Sequence, residues 1–197
     1  MTASPSPLPP IERDTTVPWP PEEAFSRFTA RFGTWWPVLT HSIGGARVKR
    51  VVFECRQGGR IYEEFKDGQR FQWGTVTAWD PPHSVGFTWH PSKDAAVAQN
   101  VVVAFKPSAS GTRVVLTSSG WERLGAKAAR ARKGYAIGWG SVLDGFAGRR
   151  TAAIVVFAMI SHTITFFLRV TGRLEREIAK SGGRMPPAAT GDNFSDG

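Results

Sequence analysis

The sequence has one cysteine, Cys55, among 197 residues. That excludes an internal disulfide and any metal site built from paired cysteines, and a reducing cytoplasm is the simplest compartment. The four histidines, His41, His83, His90 and His162, are too scattered to put a metal triad on one element. No metal and no cofactor are expected. His-Glu-x-x-His, Gly-x-Ser-x-Gly, a Walker loop and Gly-x-Gly-x-x-Gly are all missing, so no catalytic residue is assigned by motif. The opening Met1-Thr2-Ala3-Ser4-Pro5-Ser6-Pro7 has neither a basic start nor an apolar run, so no secretory signal is visible. Tyrosine is scarce, with two residues, whereas tryptophan numbers eight and phenylalanine thirteen. The chain therefore has much large, flat apolar surface to place, as core or as cavity wall.

Acidic residues are also in deficit, 16 against 25 Lys and Arg, for a net charge of +9. The excess is local. Residues 121–150 hold seven Lys or Arg against two Asp or Glu, and residues 151–184 hold five against two. Any electrostatic partner should meet the C-terminal part. Nucleic acid is not expected, because these charges flank an apolar segment and no recognised binding fold is present.

Along the chain, residues 1–10 read as a Pro/Ser-rich disordered tail. Ile11–Val17 reads as a strand stopped by Pro18-Trp19-Pro20-Pro21. Glu22-Glu23 then suit the first turn of a helix whose Ala24, Phe25, Phe28 and Phe32 recur at helical spacing. A second short helix or turn, Trp35-Trp36-Pro37, follows. Val48–Arg56, Arg60–Phe65, Phe71–Trp79, Ser84–Trp89, Asn100–Lys106 and Thr112–Ser118 read as six strands separated by turn residues. With no helix between them they form an antiparallel sheet. After Trp121 the period changes: Tyr135, Trp139, Val142 and Phe146 share one helical face, so Glu122–Arg150 reads as mainly a long helix, weakened locally by Gly134, Gly138, Gly140 and Gly145. Covering the sheet requires that helix. The expectation is an α+β helix-grip fold, a curved antiparallel sheet of about seven strands wrapped around a long C-terminal helix.

Particular residues also look familiar. Phe32-Gly33-Thr34-Trp35-Trp36-Pro37, Gly58-Gly59-Arg60-Ile61-Tyr62-Glu63, Trp73-Gly74-Thr75-Val76, Trp79-Asp80-Pro81-Pro82 and Phe87-Thr88-Trp89 resemble the START-like (SRPBCC) superfamily. Gly111-Thr112-Arg113-Val114 and Ser119-Gly120-Trp121-Glu122 continue the likeness. Within the superfamily the chain is similar to bacterial homologues of the C-terminal domain of the heat-shock-ATPase activator, over residues 11–150. The resemblance implies a START-like cavity between sheet and long helix, with an apolar small molecule or lipid as partner. It also carries two alternatives, a cyclase- or aromatase-like enzyme using a cavity carboxylate and a stress-related cochaperone-like interaction module. Many relatives carry His at the position of Ser118, so a role for that His would be lost here.

On that reading the cavity lining is expected from Trp35, Trp36, Phe71, Trp73, Phe87, Trp89, Trp121, Tyr135 and Trp139. Phe71-x-Trp73 and Phe87-x-Trp89 each put two rings on one face of a strand. Trp79 reads as a packing anchor. An enzyme would draw on Glu54, Glu63, Glu64 or Tyr135. The simpler reading of Glu63-Glu64, one inward and one outward by alternation, is a solvated pair matched to Arg56 or Arg60. His41 reads as a surface or loop-packing residue. Residues 151–168 carry no formal charge and are marginally long enough to span a bilayer. They read as an extra apolar helix that continues the long one and associates with a membrane, packs on its own domain or pairs with a second copy. A short amphipathic helix to residue 180 and a disordered tail, 181–197, complete the chain.

Overall fold

The computed structural model describes residues 7–91 and 94–149. The expected apolar helix at 151–168, the helix after it and the tail from 181 lie outside the described residues. Among the described residues no helix is long and apolar enough to cross a membrane.

Seven strands make one antiparallel sheet: β1 (Ile11–Val17), β2 (Val48–Phe53), β3 (Arg60–Phe65), β4 (Arg70–Asp80), β5 (Ser84–Trp89), β6 (Gln99–Ser108) and β7 (Gly111–Ser119). Their order is β1-β7-β6-β5-β4-β3-β2. Strands β2 to β7 follow one another as a meander, and β1 closes the far edge on β7, with Ile11 opposite Ser118 and Val17 opposite Thr112. Between β1 and β2 the chain crosses the sheet in three short helices, α1 (Pro21–Phe28), α2 (Phe32–Trp35) and α3 (Val38–His41). Helix α1 starts on prolines, places Glu22 and Glu23 in its first turn and buries Ala24, Phe25 and Phe28. Ahead of α1, the Pro9 and Pro10 carbonyls accept hydrogen bonds from Arg132 at 2.7 and 3.0 Å.

The sheet curls at Gly74. The first part of β4 pairs with β3 as far as Thr75, and from Val76 it pairs with β5. At the changeover the Trp73 carbonyl accepts from His90 N at 2.7 Å. Gly74 comes so close to β5 that a Cβ there would stand 1.7 Å from the Thr88 carbonyl oxygen. A glycine at such a bend is what lets two backbones meet.

The long helix is shorter than the sequence suggests. Residues Trp121–Lys127 form a tight 3₁₀ segment interrupted at Gly125, with φ 54° and ψ −132°. The long helix, α4, spans Ala128–Phe146. Gly125 stops the regular helix from starting at Glu122, since its conformation is one that L side chains rarely adopt. At the other end Gly148, φ 72°, closes a Schellman motif. Gly148 N bonds the Gly145 carbonyl and Arg149 N the Asp144 carbonyl. Helix α4 therefore ends at Phe146 in a satisfied cap. The helical glycines are tolerated because α4 buries Trp139, Val142, Leu143 and Phe146.

Two aromatic clusters fill the concave side unequally. Phe28 meets Phe105 at 5.6 Å, Phe146 at 5.3 Å and Trp35 at 5.0 Å, and Phe25 meets Phe105 and Trp79. This cluster packs α1, the sheet and the C-terminal end of α4 solidly together. The second cluster, toward the N-terminal half of α4, leaves a space.

Candidate functional site

That space is a cavity of about 910 Å³ between the sheet and α4. Four tryptophans form its aromatic wall: Trp36 after α2, Trp73 on β4, Trp89 on β5 and Trp139 on α4. Ring centroids lie 5.3 Å apart for Trp36–Trp73, 5.5 Å for Trp36–Trp89 and Trp73–Trp89, and 5.2 Å for Trp89–Trp139. Trp73 and Trp89 point the same way because they occupy inward positions on neighbouring strands.

The roof explains why the space is unfilled. Ala131, Gly134 and Gly138 line it from α4 at helical spacing. A Cβ at Gly134 would meet nothing within 4 Å, and one at Gly138 would meet only His41 Nε2, at 4.0 Å. Small residues on the helix thus stand opposite large ones on the sheet, and no side chain closes the gap. The helical glycines that weaken α4 in the sequence are what shape the cavity.

Of the nine residues expected from the sequence, Trp36, Trp73, Trp89, Tyr135 and Trp139 lie at the cavity. The other four stand behind it. Trp35 donates its indole N–H to the Arg27 carbonyl at 2.9 Å and packs on Phe146. Phe71 packs on Phe65 at 4.7 Å, and Phe87 on Phe53 at 5.8 Å. Trp121 is fully buried, donates to the Ser118 carbonyl and backs Tyr135 at 5.1 Å.

Sequence patterning carries little sign of a further part of the wall, the end of α3 and the turn after it, Thr40, His41, Ser42 and Ile43. His41 is half-buried and packs locally. Its Nδ1 lies 2.7 Å from the Thr40 hydroxyl, and its carbonyl accepts from Trp36 Nε1 at 3.0 Å. Burial pushes its pKa down to about 4, against a small upward effect of the Gly138 backbone. The imidazole is therefore neutral at neutral pH.

The carboxylates also depart from the simple reading. Glu63 points inward and is fully buried. Its two oxygens accept from the amides of Ile43 and Gly44, at 3.1 and 3.2 Å, so it clasps the cavity loop from behind. Burial raises its pKa to about 7, although the two amides, the Trp73 indole and Arg47 pull the other way. Glu64 points outward yet is also buried, because Arg50, Arg70 and Lys49 cover it. The Arg50 hydrogen bond, helped by Arg70 and Lys49, holds it down to about 2 despite burial. It is Glu54 that pairs with Arg56 and Arg60, at 3.6 and 3.0 Å. None of the three carboxylates lines the cavity.

A pH signature follows from two of these groups. Between pH 4.5 and about 7, folded Glu63 keeps a proton that the unfolded chain has released, so its contribution to stability falls as pH rises. Between about 4 and 6.5 the unfolded chain binds a proton that folded His41 refuses, so this contribution rises with pH. The two oppose each other over pH 4.5–6.5. Glu63→Gln should unmask the His41 component, a rise in unfolding free energy of up to roughly 3 kcal/mol between pH 4 and 6.5. Urea titrations at several pH values measure it, and a variant profile parallel to that of the wild type would contradict it.

Residues 18–149 match the family of activator of Hsp90 ATPase homolog 1-like proteins. The chain belongs to that family. Its sheet curled around α4 is the START-like helix-grip fold. Among similar solved structures is an anthrahydroquino-γ-pyrone synthase, Txn09, 32% identical, covering 73% of this chain and 98% of its own at a TM-score of 0.51. DynU16, from the dynemicin biosynthetic locus, is 19% identical with a TM-score of 0.52 and covers 72% of this chain and 46% of its own. Protein CV1439 from Chromobacterium violaceum is 18% identical with a TM-score of 0.51, over 72% and 96% of the two chains. At those identities the last two show the fold alone. No curated protein matches the chain.

Proposed function

We propose that this family member binds a flat, largely apolar small molecule in the cavity between sheet and α4. The observation that carries this reading is the unfilled 910 Å³ space walled by Trp36, Trp73, Trp89 and Trp139. Cavities of this size and lining suit small-molecule ligands, and four rings about 5 Å apart favour a planar partner over a branched one. The 32% identity to a synthase of a fused aromatic product points to the same class. Titration of intrinsic tryptophan fluorescence with anthraquinone and with palmitate tests it. The expected result is saturable 1:1 quenching by the ring system at a Kd of ~10 μM or tighter, with palmitate weaker. Absence of saturable quenching by either probe would overturn the reading.

A further inference from the structure

Lys127 and Arg130 line the cavity three residues apart, where α4 begins. Among the described residues, ion pairs form elsewhere and involve neither of them. Neighbouring basic side chains are engaged: Arg123 donates to the Ala98 carbonyl and Arg132 to those of Pro9 and Pro10. No Asp or Glu lines the cavity. Its other titratable members, His41 and Tyr135, are both held neutral at pH 7, since burial lowers the first and raises the second to about 12. One end of an apolar cavity therefore carries two unopposed cations, reinforced by the positive end of a 19-residue helix.

We propose that the cavity selects a planar aromatic acid, its carboxylate held by Lys127 and Arg130 and its ring against the tryptophan wall. This rests on the ligand-binding reading above and adds the ligand's charge and polarity. Arg and Lys bonds to a carboxylate are the strong, charge-assisted kind.

Anthraquinone-2-carboxylate and its uncharged twin, anthraquinone-2-carboxamide, separate the two ideas, with binding read by tryptophan quenching and calorimetry. Wild type should bind the carboxylate about tenfold more tightly than the amide at low salt, and added NaCl should shrink the gap. Lys127→Gln with Arg130→Gln should bring the ratio to about one without weakening the amide. Both side chains are exposed, so the fold should be unaffected. Equal affinities in wild type, or a preference surviving the double substitution, would overturn the anion site while leaving the cavity reading intact. If neither probe binds wild type, this proposal and the ligand-binding reading fall together.

Discussion

Replacing Gly134 and Gly138 together by leucine is expected to abolish ligand binding while making the protein more stable. Both positions line the cavity, and both tolerate a Cβ, with open space at Gly134 and only the His41 imidazole at 4.0 Å from Gly138. Leucine in a helix is favoured over glycine by somewhat less than 1 kcal/mol per site, so the pair should add about 1 kcal/mol and raise Tm by about 3 °C. The same side chains project into the space opposite Trp73 and Trp89 and occupy what the ligand would fill. Affinity should fall by about 100-fold or more, close to 3 kcal/mol. Most substitutions that lose function also lose stability, so opposite signs distinguish a filled cavity from a damaged fold. Full binding in the variant would move the ligand elsewhere. A drop in Tm would mean that the gap is already packed.

Gly74→Ala should produce the largest loss of stability from a single methyl group. The added Cβ would stand 1.7 Å from the Thr88 carbonyl oxygen and 2.8 Å from its carbonyl carbon. The obstruction is backbone in the middle of a sheet, so no side-chain rotation can relieve it. The neighbouring contacts hold the two strands in place: Thr75 N donates to Thr88 Oγ1 at 2.9 Å and His90 N to the Trp73 carbonyl at 2.7 Å. Relief requires β4 and β5 to separate where the sheet bends. The expected cost is on the order of 4 kcal/mol, in the range reserved for core disruption, measured as a shift of the urea midpoint. Because Trp73 and Trp89 sit on the separating strands, binding should weaken as well. A loss below about 1 kcal/mol would show that the sheet bend does not depend on this contact.

The strands were legible because their punctuation is chemical. Pro18-Trp19-Pro20-Pro21, Asp80-Pro81-Pro82 and His90-Pro91 cannot continue a ladder, and Ile11–Val17, Arg60–Phe65 and Ser84–Trp89 end where those or similar turn residues dictate. The start of α4 was not legible, since a glycine inside a helical pattern is usually tolerated and only the positive φ of Gly125 makes it a break. Alternation put one of Glu63 and Glu64 inward and the other outward without saying which. It could not show that three basic side chains from β2 and β4 would converge on Glu64, nor that the amides of Ile43 and Gly44 would meet Glu63. Those partners are distant in sequence. The aromatic wall was partly legible from the spacing of Trp73 and Trp89. The emptiness in front of it was not, because a void depends on which small residues of α4 face which strands, and periodicity alone marks Gly134 and Gly138 only as weak helix formers. His41, Lys127 and Arg130 reach the cavity through loop and helix-start geometry that no motif encodes.

The eight tryptophans give the account its most direct test. Each carries one indole N–H, resolved in a proton–nitrogen correlation spectrum and assignable by single Trp→Phe substitutions. On adding anthraquinone-2-carboxylate, the indole signals of Trp36, Trp73, Trp89 and Trp139 should shift together and saturate. Those of Trp19, Trp35, Trp79 and Trp121, which lie outside the cavity lining, should stay in place. Saturable shifts confined to the second group, or binding detected by calorimetry with the first group unmoved, would contradict a ligand held between the sheet and α4.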